Sequence, residues 1–246
     1  MKVKLLITAV LSLVIYPAYA NYNPYISITG GASRTKIGKA QTISLSSTAF
    51  DTKYTANSGY ITSPYFGVAA GIFVPTEKDF NLQLGIGVYE TYIGKAKGAV
   101  YKNPNFSTPN EFYQYKLHST AIVAEAQISK PIGLNHAPQK TFLPYLKLGV
   151  GTAINYAYNY QETPATATDV ATPPFTSRIT MSPAIQIGAG VAMKIKQNWT
   201  AGIGYQYSYL GTAKLGLSPA QSTTNQLKTK RLTTNSLLFN LTYMFD

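Results

Sequence analysis

Apolar side chains recur at every second position in eight segments of this chain. Beyond the N-terminus, no apolar run reaches the ~20 residues that a membrane-crossing helix needs. The clearest segment runs from Phe80 to Tyr89: Leu82, Leu84, Ile86 and Val88 share one face, and Asn81, Gln83, Gly85 and Gly87 share the other. Tyr145 to Asn155, Ala184 to Lys194 and Trp199 to Tyr209 repeat the pattern, and Tyr25–Ala32, Tyr65–Val74, Tyr115–Ser129 and Ser236–Phe245 show it more weakly. A period of two puts alternate residues on opposite faces of a strand, so the chain is predicted to be all-β.

The connections alternate in length. Short links fall near Pro75–Asp79, Lys130–Leu143 and Ile195–Asn198. Long ones, rich in Ser, Thr, Asn and Lys, fall near Ser33–Thr62, Thr91–Gln114, Tyr156–Arg178 and Gly211–Leu232. An up-and-down membrane barrel with short periplasmic turns and four long extracellular loops has this rhythm. The alternative is a soluble lipocalin-type barrel with its apolar face turned inward. That wall would need many charges, yet charged residues make up only 12% of the chain, and the polar faces are mostly Gly, Asn, Gln and Ser. Such faces suit a narrow packed lumen, where glycines make room for Gln83, Gln186, Gln206 and Tyr145. We therefore expect an eight-stranded antiparallel transmembrane β-barrel, a meander with its apolar face turned to lipid.

The N-terminus fits export. Lys2 and Lys4 precede an apolar run from Leu5 to Ile15, and Ala18-Tyr19-Ala20 has the small-x-small pattern of a signal peptidase site. Residues 1–20 are expected to be a signal peptide and 21–246 one barrel domain. With no cysteine, the chain has no disulfide, thiolate metal site or thiol nucleophile. The net charge of +12 in an exported chain points to anionic lipid or glycan, not nucleic acid.

Tyrosine is abundant, at 20 residues, which suits interfacial aromatic belts. On one face of Trp199–Tyr209, Trp199 stands at one end and Tyr205, Tyr207 and Tyr209 at the other. Phe80, Tyr145, Tyr243 and Phe245 are expected in the periplasmic girdle; Tyr89, Tyr113 and Tyr115 are expected toward the outer end.

In the last strand Phe239, Leu241, Tyr243 and Phe245 alternate, with Asp246 after them. This resembles the sorting signal read by the outer-membrane barrel-assembly machinery. Together with Pro24-Tyr25-Ile26-Ser27-Ile28-Thr29-Gly30-Gly31 and Pro144-Tyr145-Leu146-Lys147-Leu148-Gly149-Val150-Gly151, the mature chain resembles the OmpA-like and opacity-type small outer-membrane barrels. The resemblance implies the outer membrane of a Gram-negative bacterium, lipid and lipopolysaccharide as surroundings, and roles in adhesion, envelope integrity or immune evasion.

Catalytic motifs are weak. The Gly-x-Gly pairs at Gly85, Gly149, Gly188 and Gly202 lie inside strands and lack the helix of a phosphate loop. His118 and His136 lack metal-ligand spacing. Barrel-shaped lipid A deacylases use a lipid-facing His/Ser/Glu set, but Ser119 directly follows His118 and points to the other face. No enzyme, metal or cofactor is expected. A lumen ion pair is expected between Glu125 and Lys147, with Gln83 or Gln127 completing its hydrogen bonds.

The external loops hold Arg34, Lys36, Lys39, Lys53, Lys95, Lys97, Lys102, Arg178, Lys214, Lys228, Lys230 and Arg231 against Asp51, Glu111, Glu162 and Asp169. Most of the positive charge thus faces outward. Two readings stand: charge balance against lipopolysaccharide phosphates, or attachment to host surface glycans or matrix proteins. For sulfated glycans, Arg34, Lys36 and Lys39 and then Lys228, Lys230 and Arg231 are the densest clusters. A structural or adhesin barrel is the expected function; a narrow porin-like channel and a lipid A-modifying enzyme are the alternatives.

Overall fold

A computed structural model describes residues 22–37, 40–44, 51–57, 59–75, 80–102, 107–134, 137–166, 174–218 and 225–245. The expected signal segment, Lys39, His136, Asp169 and Asp246 lie outside the described residues. Among the described residues every regular element is a strand. Eight long ones form the frame: β1 (Asn23–Lys36), β2 (Tyr60–Pro75), β3 (Asn81–Tyr101), β4 (Glu111–Ser129), β5 (Ala137–Pro164), β6 (Arg178–Lys196), β7 (Trp199–Tyr209) and β8 (Thr233–Met244). Each pairs antiparallel with its neighbour in sequence. The ring closes where β1 meets β8, from Tyr25↔Met244 to Lys36↔Thr233. Closure pairs the ladder on both sides of every strand, as a bilayer demands.

The alternation lands as the lipid-facing reading requires. Ile28, Leu84, Ile86, Leu146, Leu148, Val150, Ile185, Ile187, Ile203 and Phe239 are all exposed, Leu146 by 63%. Their neighbours Thr29, Gln186, Gln206 and Ser236 are buried inside. A lipocalin-type barrel would have the reverse.

The strands reach further outward than the alternation foretells. A crossing needs about 9–11 residues, yet β3 has 21 and β5 has 28. Much of the loops expected over 33–62, 91–114 and 156–178 is therefore wall. Above the bilayer the outer face meets water, so its apolar pattern stops while the backbone ladder continues. The inner end differs too: Ile132–Leu134 pairs with the start of β5, so the Lys130–Leu143 link is largely a hairpin.

The lumen changes character with height. Its outer part holds an apolar core that includes Ile43, Tyr54, Ile93, Val100, Tyr115 and Leu117, closed by Phe175, Leu215, Leu227 and Leu232. The last four come from segments between strands, so the crown folds down into the barrel. Ala213–Lys214 pairs with Lys228–Thr229, and Phe175–Thr176 with Gly216–Leu217. Asn155 anchors this cover, donating from Nδ2 to the Leu210 carbonyl at 2.7 Å and accepting from Ser119 Oγ at 2.8 Å.

Candidate functional site

The inner part of the lumen is a polar vestibule of about 450 Å³, lined by Tyr25, Ser27, Gln83, Gln127, Thr200 and Asn240 among others. Its roof is a charged cluster. Lys147 Nζ lies 2.7 Å from Glu125 Oε2 and 2.6 Å from the Tyr89 hydroxyl, which itself donates to Glu125. Both charged side chains are nearly buried. Tyr89 stacks on Tyr65 at 5.7 Å, and the Tyr65 hydroxyl accepts from Gln206 Nε2 at 2.8 Å. This layer lies between the vestibule and the apolar core above it.

The third partner of the ion pair is Tyr89, not Gln83 or Gln127, which bond to each other at 3.0 Å. The register explains it. Glu125 stands opposite Gly85 and Gly149, so no neighbouring side chain fills the space over it, and the long Tyr89 reaches in. A Cβ on Gly67 or Gly87 would fall 2.1 or 2.4 Å from the Tyr89 ring. The signal was present, because Tyr89 shares the parity of Gly85 and Gly87.

That parity also corrects the girdles. Tyr89, Tyr113 and Tyr115 are buried in the interior, not set at the outer interface. Tyr145 is a lumen residue as well: its hydroxyl accepts from Asn240 Nδ2 at 3.0 Å, and its ring occupies the space left by Gly190 and Gly204. Among the described residues the aromatics at the periplasmic end include Phe80, Trp199, Tyr243 and Phe245, with Trp199 packed on Tyr243 at 5.0 Å and Tyr243 on Phe245 at 4.9 Å. Phe239 and Leu241 continue the outward face of β8, both exposed. On β7, Tyr205 and Tyr207 are exposed and Tyr209 is half-buried at the outer end. Beside them the outer belt includes Tyr92 and the stacked Tyr156 and Tyr158, which sequence reasoning left among the loops.

The basic residues do not sit at loop tips alone. Arg34 and Lys36 are exposed on the outer end of β1, Arg34 4.2 Å above the Tyr60 ring. Lys36 pairs with Thr233, two residues after Arg231, so the two sequence-distant clusters meet at the β1–β8 seam. Lys230 and Arg231 are exposed there, while Lys228 is half-buried and its backbone N–H donates to Gln41 Oε1 at 2.8 Å. Among the described residues the lysine and arginine ion pairs are Lys102–Glu111 and Lys147–Glu125, so none of these seam cations takes part in one.

On the outer wall, Glu90 accepts from His118 Nε2 and from Thr120 Oγ1, the latter at 2.8 Å, and His118 stacks on Tyr92 at 4.6 Å. Sequence reasoning missed Glu90 and Thr120. The Thr120 hydroxyl donates to the Glu90 carboxylate and not to the imidazole. Ser119 is buried on the inner face. Among the described residues no group of three or more His, Cys, Asp or Glu is placed to hold a metal.

No curated protein matches the sequence. Among solved structures, Neisserial surface protein A (NspA) aligns with a TM-score of 0.47 at 14% identity, over 92% of this chain and 100% of that one. The outer membrane protein OprG from Pseudomonas aeruginosa aligns with a TM-score of 0.45 at 16% identity, over 91% and 96%. The outer membrane protease OmpT from Escherichia coli aligns with a TM-score of 0.46 at 8% identity, over 93% and 99%. The family model for the outer membrane protein beta-barrel domain matches residues 6–245. With its closed ring and its lipid-facing apolar wall, the chain belongs to that family and resides in the outer membrane of a Gram-negative bacterium.

Proposed function

We propose that this barrel is a non-enzymatic surface-recognition protein whose crown binds sulfated glycans at the β1–β8 seam. The observation that carries the reading is the convergence of Arg34 and Lys36 with Lys230 and Arg231, exposed and outside the ion pairs of the described residues. A sulfate is a fixed anion, and guanidinium groups beside ammonium groups recognise it by charge-assisted hydrogen bonds. The Tyr65–Tyr89 layer and the apolar core above it argue against a channel, and the burial of Ser119 on the inner face, away from His118, argues against acyl transfer by that pair.

The test is binding of the refolded protein to heparin and to host cells over a range of salt. Neutralising Lys228, Lys230 and Arg231 together should lower heparin affinity at least about tenfold and flatten its salt dependence. The folded variant should still migrate differently on an SDS gel before and after boiling, as expected of a closed barrel whose ladder bonds are all paired. Undiminished binding by the folded triple variant would remove the glycan reading of this seam.

A further inference from the structure

Four strands round the ring from that seam, the wall of β3, β4 and β5 carries a second cationic feature. Lys95 and Lys116 stand directly opposite each other in register. Like charges in that position repel, and among the described residues neither takes part in an ion pair. They border a small cavity of about 110 Å³, together with Gln114, Asn159 and Gln161. Gln114 Nε2 donates to Gln161 Oε1 at 2.9 Å, which fixes one side of it.

Two irregularities build this recess. The β3–β4 register shifts between Thr91 and Gly94, and Gly94 has φ 97°. The β4–β5 register shifts between Gln114 and Lys116, and Asn159 beside it has φ 55°. A bulge re-aims the side chains next to it. Here one lies on each side of Lys116. A plain wall needs neither.

Its height specifies the ligand. Below the recess the outward residues of β3 and β4 are Ile86, Val88, Ile122 and Ala124, a lipid-facing surface. Next come Glu90 with His118 and Thr120, a polar cluster whose place is the edge of the bilayer rather than its middle. Tyr92, Tyr156 and Tyr158 mark the same interface. Lys116 pairs with Tyr158 and Lys95 with Lys116, so the lysines lie level with the outer edge of that belt. A phosphate at this level, with acyl chains running down the apolar wall, belongs to a glycolipid of the outer leaflet.

We infer that Lys95 and Lys116, in the recess with Gln114, Asn159 and Gln161, bind a phosphate monoester on the headgroup of an outer-leaflet glycolipid of the lipid A type. This site is independent of the glycan reading, since it uses other strands and leaves Lys230 and Arg231 untouched.

The probes are bis-phosphorylated lipid A, the same lipid with its phosphates removed, and inorganic phosphate, each added to the refolded full-length protein in detergent. Retained lipid is read by native mass spectrometry. Wild type should hold the phosphorylated lipid, and Lys95→Gln/Lys116→Gln should weaken retention about tenfold. A charge-matched control, Lys53→Gln/Lys97→Gln, should stay within about twofold. Both variants must keep the heat-dependent gel shift; where the double variant does not, the single Lys95→Gln and Lys116→Gln variants are read in its place, each expected to weaken retention at least about threefold. Equal retention of the dephosphorylated lipid would overturn the assignment, as would an equal loss in the control. Full displacement by millimolar inorganic phosphate would overturn the lipid as the source of the anion.

Discussion

Below the Tyr65–Tyr89 layer the lumen is held by charge and amide hydrogen bonds around a vestibule; above it, by apolar side chains folded down from the crown. The two regions share one set of strands and solve one problem differently. Inside the bilayer the outer face must be apolar, so the polar residues turn inward and must satisfy one another. Above the bilayer the outer face is hydrated, and the interior can close like the core of a soluble domain. Lys147 with Glu125 and Tyr89 stands for the first solution, Leu215 with Leu227 and Leu232 for the second.

The largest effect should come from the charged roof. Glu125→Ala leaves Lys147 buried and unpaired, and should cost about 3–5 kcal/mol in urea unfolding from lipid or detergent. Adding Lys147→Met should recover part of that loss. If the two losses are strictly additive, the roof is two separate charges and the contrast between the halves weakens.

A smaller effect is expected in the crown. Leu215→Ala removes a fully buried side chain and should cost about 2–4 kcal/mol of local stability. Hydrogen exchange should rise in residues 213–217 and 228–232 while the membrane strands stay protected. Uniform loss of protection around the ring would show that the two regions unfold as one unit.

The smallest effect is pH-dependent. Glu162 lies on the outer extension of β5, beyond the Tyr156 and Tyr158 belt. Burial pushes its carboxyl up to about 7, and repulsion from Glu111 adds to this, against the lowering contributed by Tyr160 and Lys102. A carboxyl raised in the folded state above its unfolded value holds its proton in the fold where the unfolded chain has lost it. Between about pH 4.5 and 7 the folded state therefore binds more protons, and stability falls as pH rises. The crown should loosen measurably from pH 5 to pH 8, and Glu162→Gln should flatten that dependence. A pH profile unchanged by Glu162→Gln would mean that another group titrates.

Much of the frame was legible because lipid makes one demand of every crossing strand. Segments such as Phe80–Tyr89 and Trp199–Tyr209 alternate since one face meets acyl chains, and their number and order give the meander. Parity also held the correct face for Tyr89 and Tyr145, although their aromatic character suggested the interface. Glu125 and Lys147 were legible as inward charges on adjoining strands, whereas Tyr89 as their bridge depends on ring placement over Gly67 and Gly87.

The period of two, together with polar faces almost free of charge, determined that this chain is an eight-stranded barrel with its apolar face outward, because burial in lipid acts on each residue locally. Only the tertiary structure decided how far the strands extend, that Phe175, Leu215, Leu227 and Leu232 pack into one core with the strands, and that Lys36 comes opposite Thr233, close in sequence to Arg231, and Lys95 opposite Lys116. Those outcomes depend on backbone register between segments far apart in sequence, and ladder hydrogen bonds are blind to side-chain identity. No residue pattern within one strand records which partner lies beside it.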